Sequence, residues 1–157
     1  MTDAYSYMNS RATEFNLDFD RVTAIGESAG GHLAMLLGYT LKKEDGETNA
    51  FRSVFNIYGM SDFERWDRDG WTSGGTAGTA FPCEPDDPED NSLIKNLAGG
   101  SCAPDALKAI SPVHFIDDNS PPTISIHGTM DSLVSYQQSE ALHDVLDVAG
   151  VDNYLIT

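Results

Sequence analysis

The run VTAIGESAGGHLAMLLGY, residues 22 to 39, constrains this chain more than any other part of it. Val22 to Gly26 is short, apolar and β-branched, the composition of a buried strand. From Ala29 to Leu41 the chain is rich in Ala, Leu and Met and reads as a helix. Few residues remain between them, so the strand must pass almost directly into the helix around Ser28. The spacing Gly26-x-Ser28-x-Gly30 is that of a sharp strand-to-helix turn that pushes a serine hydroxyl out of the sheet. In this reading Gly26 and Gly30 lack the side chains that would collide as strand and helix close up. The N–H of Ala29 then points to where an oxyanion would form, and the helix start adds a favourable dipole. Ser28 is thereby a candidate nucleophile. The competing reading, a glycine-rich turn with an incidental serine, is opposed by the strand before it and the helix after it.

The rest of the chain alternates in the same way. Asp3 to Phe15 places Ala4, Tyr5, Met8, Ala12 and Phe15 on one helical face. Strands are expected at Ser53–Tyr58, Thr123–His127 and Asn153–Thr157. Helices are expected at Asp105–Ile110 and Ser135–Ala149, the second stopped by Gly150. Between Ser61 and Ala103 periodicity is lost, and a long lid-like excursion at about 61–103 is expected. Strands alternating with helices imply an α/β fold, a parallel sheet with helices on both faces. The sheet has only four strands, so it is expected to be incomplete, and residues 1–157 to form a single partial domain.

Charge narrows the partners. The 25 acidic residues against 9 basic ones give a net charge of −16, which would repel nucleic acid. No apolar run approaches the ~20 residues that a membrane span needs, and the opening MTDAYSYMNSRATEF lacks the layout of a secretion signal. Cys83 and Cys102 form no CxxC pair, so a zinc site is not expected, and no metal or other cofactor is. They read either as one disulfide in a secreted or periplasmic protein, or as two thiols in a reducing cytoplasm. Asp86, Asp87, Glu89 and Asp90 lack the spacing and the glycine of a calcium loop and read as a solvated acidic loop.

The stretch DRVTAIGESAGGHLAMLLGYT resembles the nucleophile region of the α/β-hydrolase esterases. It is most similar to the branch of hormone-sensitive-lipase-like carboxylesterases and bacterial feruloyl and acetyl-xylan esterases. The likeness runs on through FNIYGMSDF, NSLIKNLAGG and ISPVHFID to PPTISIHGTMDSLVSYQQSEALHDVLDVAGVDNYL. It implies the α/β-hydrolase fold and a triad acid after the HG turn, which falls on Asp131. Such an acid holds the catalytic imidazole in one tautomer and stabilises it when charged. Taken alone, Asp131 reads as a turn aspartate capping the next helix.

The resemblance also implies a histidine after the last strand and an HGG-type oxyanion loop before the first, and neither segment is in these 157 residues. The chain is therefore expected to be the second half of such a domain. His32, His114, His127 and His143 do not match the catalytic position and are read as structural. The function expected is a serine carboxylesterase for short-acyl or aromatic-acyl esters, its substrate a small-molecule or carbohydrate-linked ester. A prolyl-oligopeptidase-like peptidase and a truncated, non-catalytic binding domain are the alternatives. The strand at Val22 is expected to have an open edge, suited to a second copy or a completing chain.

Overall fold

The computed structural model describes residues 2–43, 45–65, 83 and 93–157. Most of the expected excursion, with Asp86, Asp87, Glu89 and Asp90, lies outside the described residues. Four strands, β1 (Thr23–Glu27), β2 (Ser53–Ile57), β3 (Thr123–Ile126) and β4 (Asn153–Ile156), form one parallel sheet in the order β1-β2-β3-β4. The strands and their direction are those implied by the alternation of the sequence.

The helices are α1 (Thr2–Ser10), α2 (Ala12–Phe15), α3 (Ala29–Thr40), α4 (Leu93–Leu97), α5 (Pro104–Lys108) and α6 (Gln137–Ala149), with a 3₁₀ turn at Pro112–Phe115. One helix was expected from Asp3 to Phe15, but the chain breaks at Arg11, and Asn16 ends α2 in the left-handed conformation at φ 52°. Nothing in α1 is buried. Its apolar side instead borders a groove of about 890 Å³ with Leu17, Phe19, Val22, Leu37 and Phe51. Gly150, at φ 73°, stops α6 as its sequence implied.

The main core joins Met35 and Tyr39 of α3, Val54 of β2, Val113, Leu142 and Leu146 of α6, and Val151. Fully burying a side chain such as Leu142 or Leu146 contributes roughly 1.5–3 kcal/mol. A second cluster, Met60, Phe63, Ile94 and Val134, packs beside Cys83, which is disulfide-bonded to the buried Cys102 with the two Cα atoms 5.6 Å apart.

Successive residues of a strand face opposite sides of the sheet. The register puts Ala24, Val54 and Thr123 in one row and Gly26, Asn56 and Ser125 in another. Both rows lie on the side covered by α3 and α6. Ile25, Phe55, Ile124 and Tyr154 form a row on the other side, with Glu27, Ile57, Ile126 and Ile156 beside it. Helices were expected on both faces. Among the described residues the packed helices line one, and on the other Ile25 and Tyr154 are 65% and 66% exposed.

Candidate active site

Ser28 follows β1 directly and caps α3 with φ 52° and ψ −122°, a backbone that side-chain-bearing residues rarely adopt. The half-buried serine is pinned by its backbone. Its N–H donates to the Ile57 carbonyl at 2.9 Å, and its carbonyl accepts from the His32 N–H at 3.1 Å. Its hydroxyl does not cap the helix. Ala29 is the first residue of α3, so its N–H is one of the four at a helix start without an intrahelical acceptor.

The glycines divide differently from the sequence expectation. A Cβ on Gly26 would come within 2.1 Å of the Gly30 carbonyl oxygen, so strand and helix close up only around a glycine there. A Cβ on Gly30 itself would meet nothing within 4 Å. The second tight glycine is Gly31, where a Cβ would lie 2.6 Å from Asn56 Oδ1 and 3.0 Å from Gly59 Cα. The fully buried Asn56 is satisfied, accepting from the Gly59 N–H at 2.9 Å and donating to Ser125 Oγ at 3.1 Å.

Three strand ends lie side by side at this edge. The N–H of Ser28 donates to Ile57, that of Tyr58 to Ile126 (2.9 Å), and that of His127 to Ile156 (3.0 Å). With ~4.8 Å between strands, the ends of β1 and β3 are about 10 Å apart. Asp131 sits on the turn after β3. Its Oδ1 accepts from the N–H groups of Leu133 (2.8 Å) and Val134 (3.0 Å), and its Oδ2 lies 3.6 Å from His127 Nε2. It therefore caps the turn, and its charge acts on the Tyr58 hydroxyl. The Tyr58 hydroxyl is held above the usual tyrosine range, first by its hydrogen bond to Glu27, then by desolvation and by the charges of Glu27 and Asp131.

Each of the four histidines is engaged. His32 Nε2–H donates to the Ile110 carbonyl at 2.7 Å, and the ring packs edge-on against Phe63. His127 Nε2–H donates to the Val134 carbonyl at 2.9 Å, leaving Nδ1 to the Ser139 hydroxyl at 2.8 Å. Asn153 donates to Asp147 and to the Val151 carbonyl, which turns its Oδ1 to accept from His143 Nδ1–H at 2.5 Å. Burial, the largest cause, holds both His32 and His143 below their ordinary value of 6.5. His114 Nε2 lies 2.5 Å from Glu64 Oε2.

The loop after β2 is fixed by a side chain that the sequence did not single out. Gln138 Oε1 accepts from the N–H groups of Ser61 and Asp62, both at 2.8 Å, and its Nε2 donates to the Asp62 carbonyl at 2.8 Å. Among the described residues, Asp62, Glu64 and His114 bring donor atoms within 4.8 Å of one another and could hold a metal. Their charge is already shared, with Arg65 Nε 3.8 Å from Asp62 and Lys108 Nζ 3.9 Å from Glu64.

The family model of BD-FAE matches residues 1–146. The chain belongs to the BD-FAE family. Esterase LipC of Mycobacterium tuberculosis (strain ATCC 25618 / H37Rv) is 24% identical over 145 residues, covering 88% of this chain and 33% of its own length. The structure of a truncated form of a carbohydrate esterase from gut microbiota is 25% identical with a TM-score of 0.72, over 98% of this chain and 56% of that one. Acylaminoacyl peptidase of Pyrococcus horikoshii, 18% identical, has the same fold with a TM-score of 0.65, over 95% of this chain and 21% of that one. This BD-FAE chain thus has the α/β-hydrolase fold and spans a third of its curated relative and about half of the carbohydrate esterase.

Proposed function

We propose that the chain carries the nucleophile and acid of a serine carboxylesterase. The observation that carries this reading is the backbone of Ser28, φ 52° and ψ −122°, at a strand–helix junction that closes only around glycine at Gly26 and Gly31. Ser28 attacks the ester carbonyl, the Ala29 N–H receives the oxyanion of the tetrahedral intermediate, and departure of the protonated alcohol leaves an acyl-enzyme that water then hydrolyses to the acid and free Ser28. Asp131 orients the imidazole that moves the protons. With all four histidines committed elsewhere, that imidazole is supplied by polypeptide outside these 157 residues. Family membership and the carbohydrate esterase likeness favour ester over peptide bonds, and a carbohydrate-linked short-acyl or aromatic-acyl ester as substrate. The Cys83–Cys102 disulfide favours a secreted or periplasmic home, and two free cysteines by thiol titration would reverse that.

The test compares two polypeptides on p-nitrophenyl acetate. Loss of the base in a serine triad costs on the order of 10⁶ in rate. The 157-residue chain should therefore be nearly inert, and its Ser28→Ala variant indistinguishable from it. A longer polypeptide that restores the histidine should gain most of that factor and lose it on Ser28→Ala. Strong Ser28-dependent turnover by the 157-residue chain would overturn the assignment of the base. An inert longer polypeptide would favour a binding role.

A further inference from the structure

Tyr58 carries strain that the elbow alone does not explain. Its φ of 42° lies in the left-handed region, which bulky residues avoid. Among the described residues two other non-glycines share that region. Asn16 closes a helix, where asparagine tolerates it, and Ser28 is the elbow itself. Backbone strain of this kind persists only where the surroundings over-determine it.

The contacts of Tyr58 tie the elbow to the neighbouring strand β3. The residue before it, Ile57, gives the carbonyl that receives the Ser28 N–H at 2.9 Å, and the N–H of Tyr58 is held by Ile126. The residue after it, Gly59, packs so closely on α3 that a Cβ would lie 2.7 Å from the His32 nitrogen. An extended residue 58 would share the covered face with Asn56. The left-handed backbone turns the ring instead, and its hydroxyl donates to Glu27 Oε2 at 2.8 Å. The segment 57–59 thereby grips the residue before Ser28, Ser28 itself and the helix after it.

We propose that Tyr58 is a positioning residue for Ser28, fixing Glu27 through its hydroxyl and the Ile57 carbonyl through its strained backbone. It touches no reacting atom. Its consequence for catalysis rests on the reading of Ser28 as nucleophile. A tethered Glu27 carboxylate is kept from swinging over the Ala29 N–H, where its charge would oppose the forming oxyanion. The tether itself does not depend on that reading.

Amide hydrogen exchange and tyrosine ring titration by NMR on the 157-residue chain test the proposal. Exchange at Ser28 should rise about fivefold in Tyr58→Phe, the loss of one net hydrogen bond, while Val54 and Leu146 stay unchanged. Tyr58 should titrate above the ordinary tyrosine value and return toward it in Glu27→Ala, a response that a merely structural ring would not give. Ser28 exchange within about twofold of wild type, or a titration indifferent to Glu27→Ala, would overturn it. Should Tyr58→Phe fail to fold, Glu27→Ala, at an exposed position, reads the same tether through Ser28 exchange. An altered Ser28 exchange in a protein whose longer form shows no Ser28-dependent hydrolysis would uphold the tether and reject only the esterase reading.

Discussion

The two faces of the sheet differ in what their residues meet: the covered one packs Ala24 and Val54 into the core beside a set of buried polar groups, and the open one does not. The covered face carries Thr123, Ser125 and Asn56, all fully buried, while the open face carries Ile25, Phe55, Ile124, Ile126, Tyr154 and Ile156. On the covered side the polar groups are spent on one another and on the elbow. Tyr39 and Thr123 share a hydrogen bond at 2.9 Å, and Asn56 joins Ser125 to the Gly59 backbone. A buried polar network is tolerable only when satisfied in this way, and it then fixes a single arrangement. Among the described residues the open side makes polar contacts at the two ends of β1, Thr23 with Ser53 and Glu27 with Tyr58, and leaves the apolar side chains between them exposed or half-buried. Its apolar side chains gain nothing from water, and exposed apolar residues side by side are a candidate surface for another polypeptide.

Deletion of core bulk should give the largest effect and tests the comparison most directly. Leu146→Ala on the covered side should cost about 2–5 kcal/mol in denaturant unfolding. Ile124→Ala, on the open side of a neighbouring strand, should cost less than ~1 kcal/mol. Equal losses would mean that the open face is buried in solution. Next come the glycines at the junction of β1 and α3. Gly26→Ala should destabilise by about 1–3 kcal/mol or more, because its Cβ has no room. Gly30→Ala, with open space around it, should stabilise by up to ~1 kcal/mol. A thermal melt of both variants would expose a reversed order.

The first loss on acidification should come from the covered side. Burial holds His32 and His143 below 6.5, so the unfolded chain takes up protons that the folded chain refuses. Their contribution is whole above pH 6.5 and is lost as pH falls through their lowered folded values. A His143→Gln variant should show a flatter loss of stability below pH 6.5 in urea titrations at stepped pH. The smallest change in stability, within about ±0.5 kcal/mol, should follow Ile25→Lys and Tyr154→Lys. Their effect should fall on association. The wild-type chain, with β1 at the sheet edge, is expected to self-associate through that edge and the open face. Light scattering should find the double variant closer to monomer, and a wild-type monomer at high concentration would count against this interface.

Much of the fold could be read from residues that are neighbours in sequence. The strands at Val22, Ser53, Thr123 and Asn153 lie within a residue or two of their expected bounds, and α6 runs to Gly150 as its periodicity implied. The break at Arg11 was not legible, because Tyr5, Met8 and Phe15 look alike in the sequence although Tyr5 packs on Phe19 and Phe51 while Met8 and Phe15 stay exposed. At the site, GESAG gave away the serine and its turn, but nothing in the pentapeptide separates Gly30, which has room, from Gly31, which has none. Tyr58 gave no signal either, since an aromatic residue at the end of SVFNIY fits an ordinary strand.

By itself the sequence determined the strand–turn–helix around Ser28, because short-range sterics act there between residues a few positions apart. It also determined the order of strands and helices, which follows from local period. Only the tertiary structure decided which sheet face is covered, which glycines are tight and which ring nitrogen of His32, His127 and His143 donates. Those depend on partners far along the chain: His32 answers to Ile110 across 78 residues, and Ser61 to Gln138 across 77. A side chain's local pattern states its chemistry, but its partner is chosen only when the chain closes.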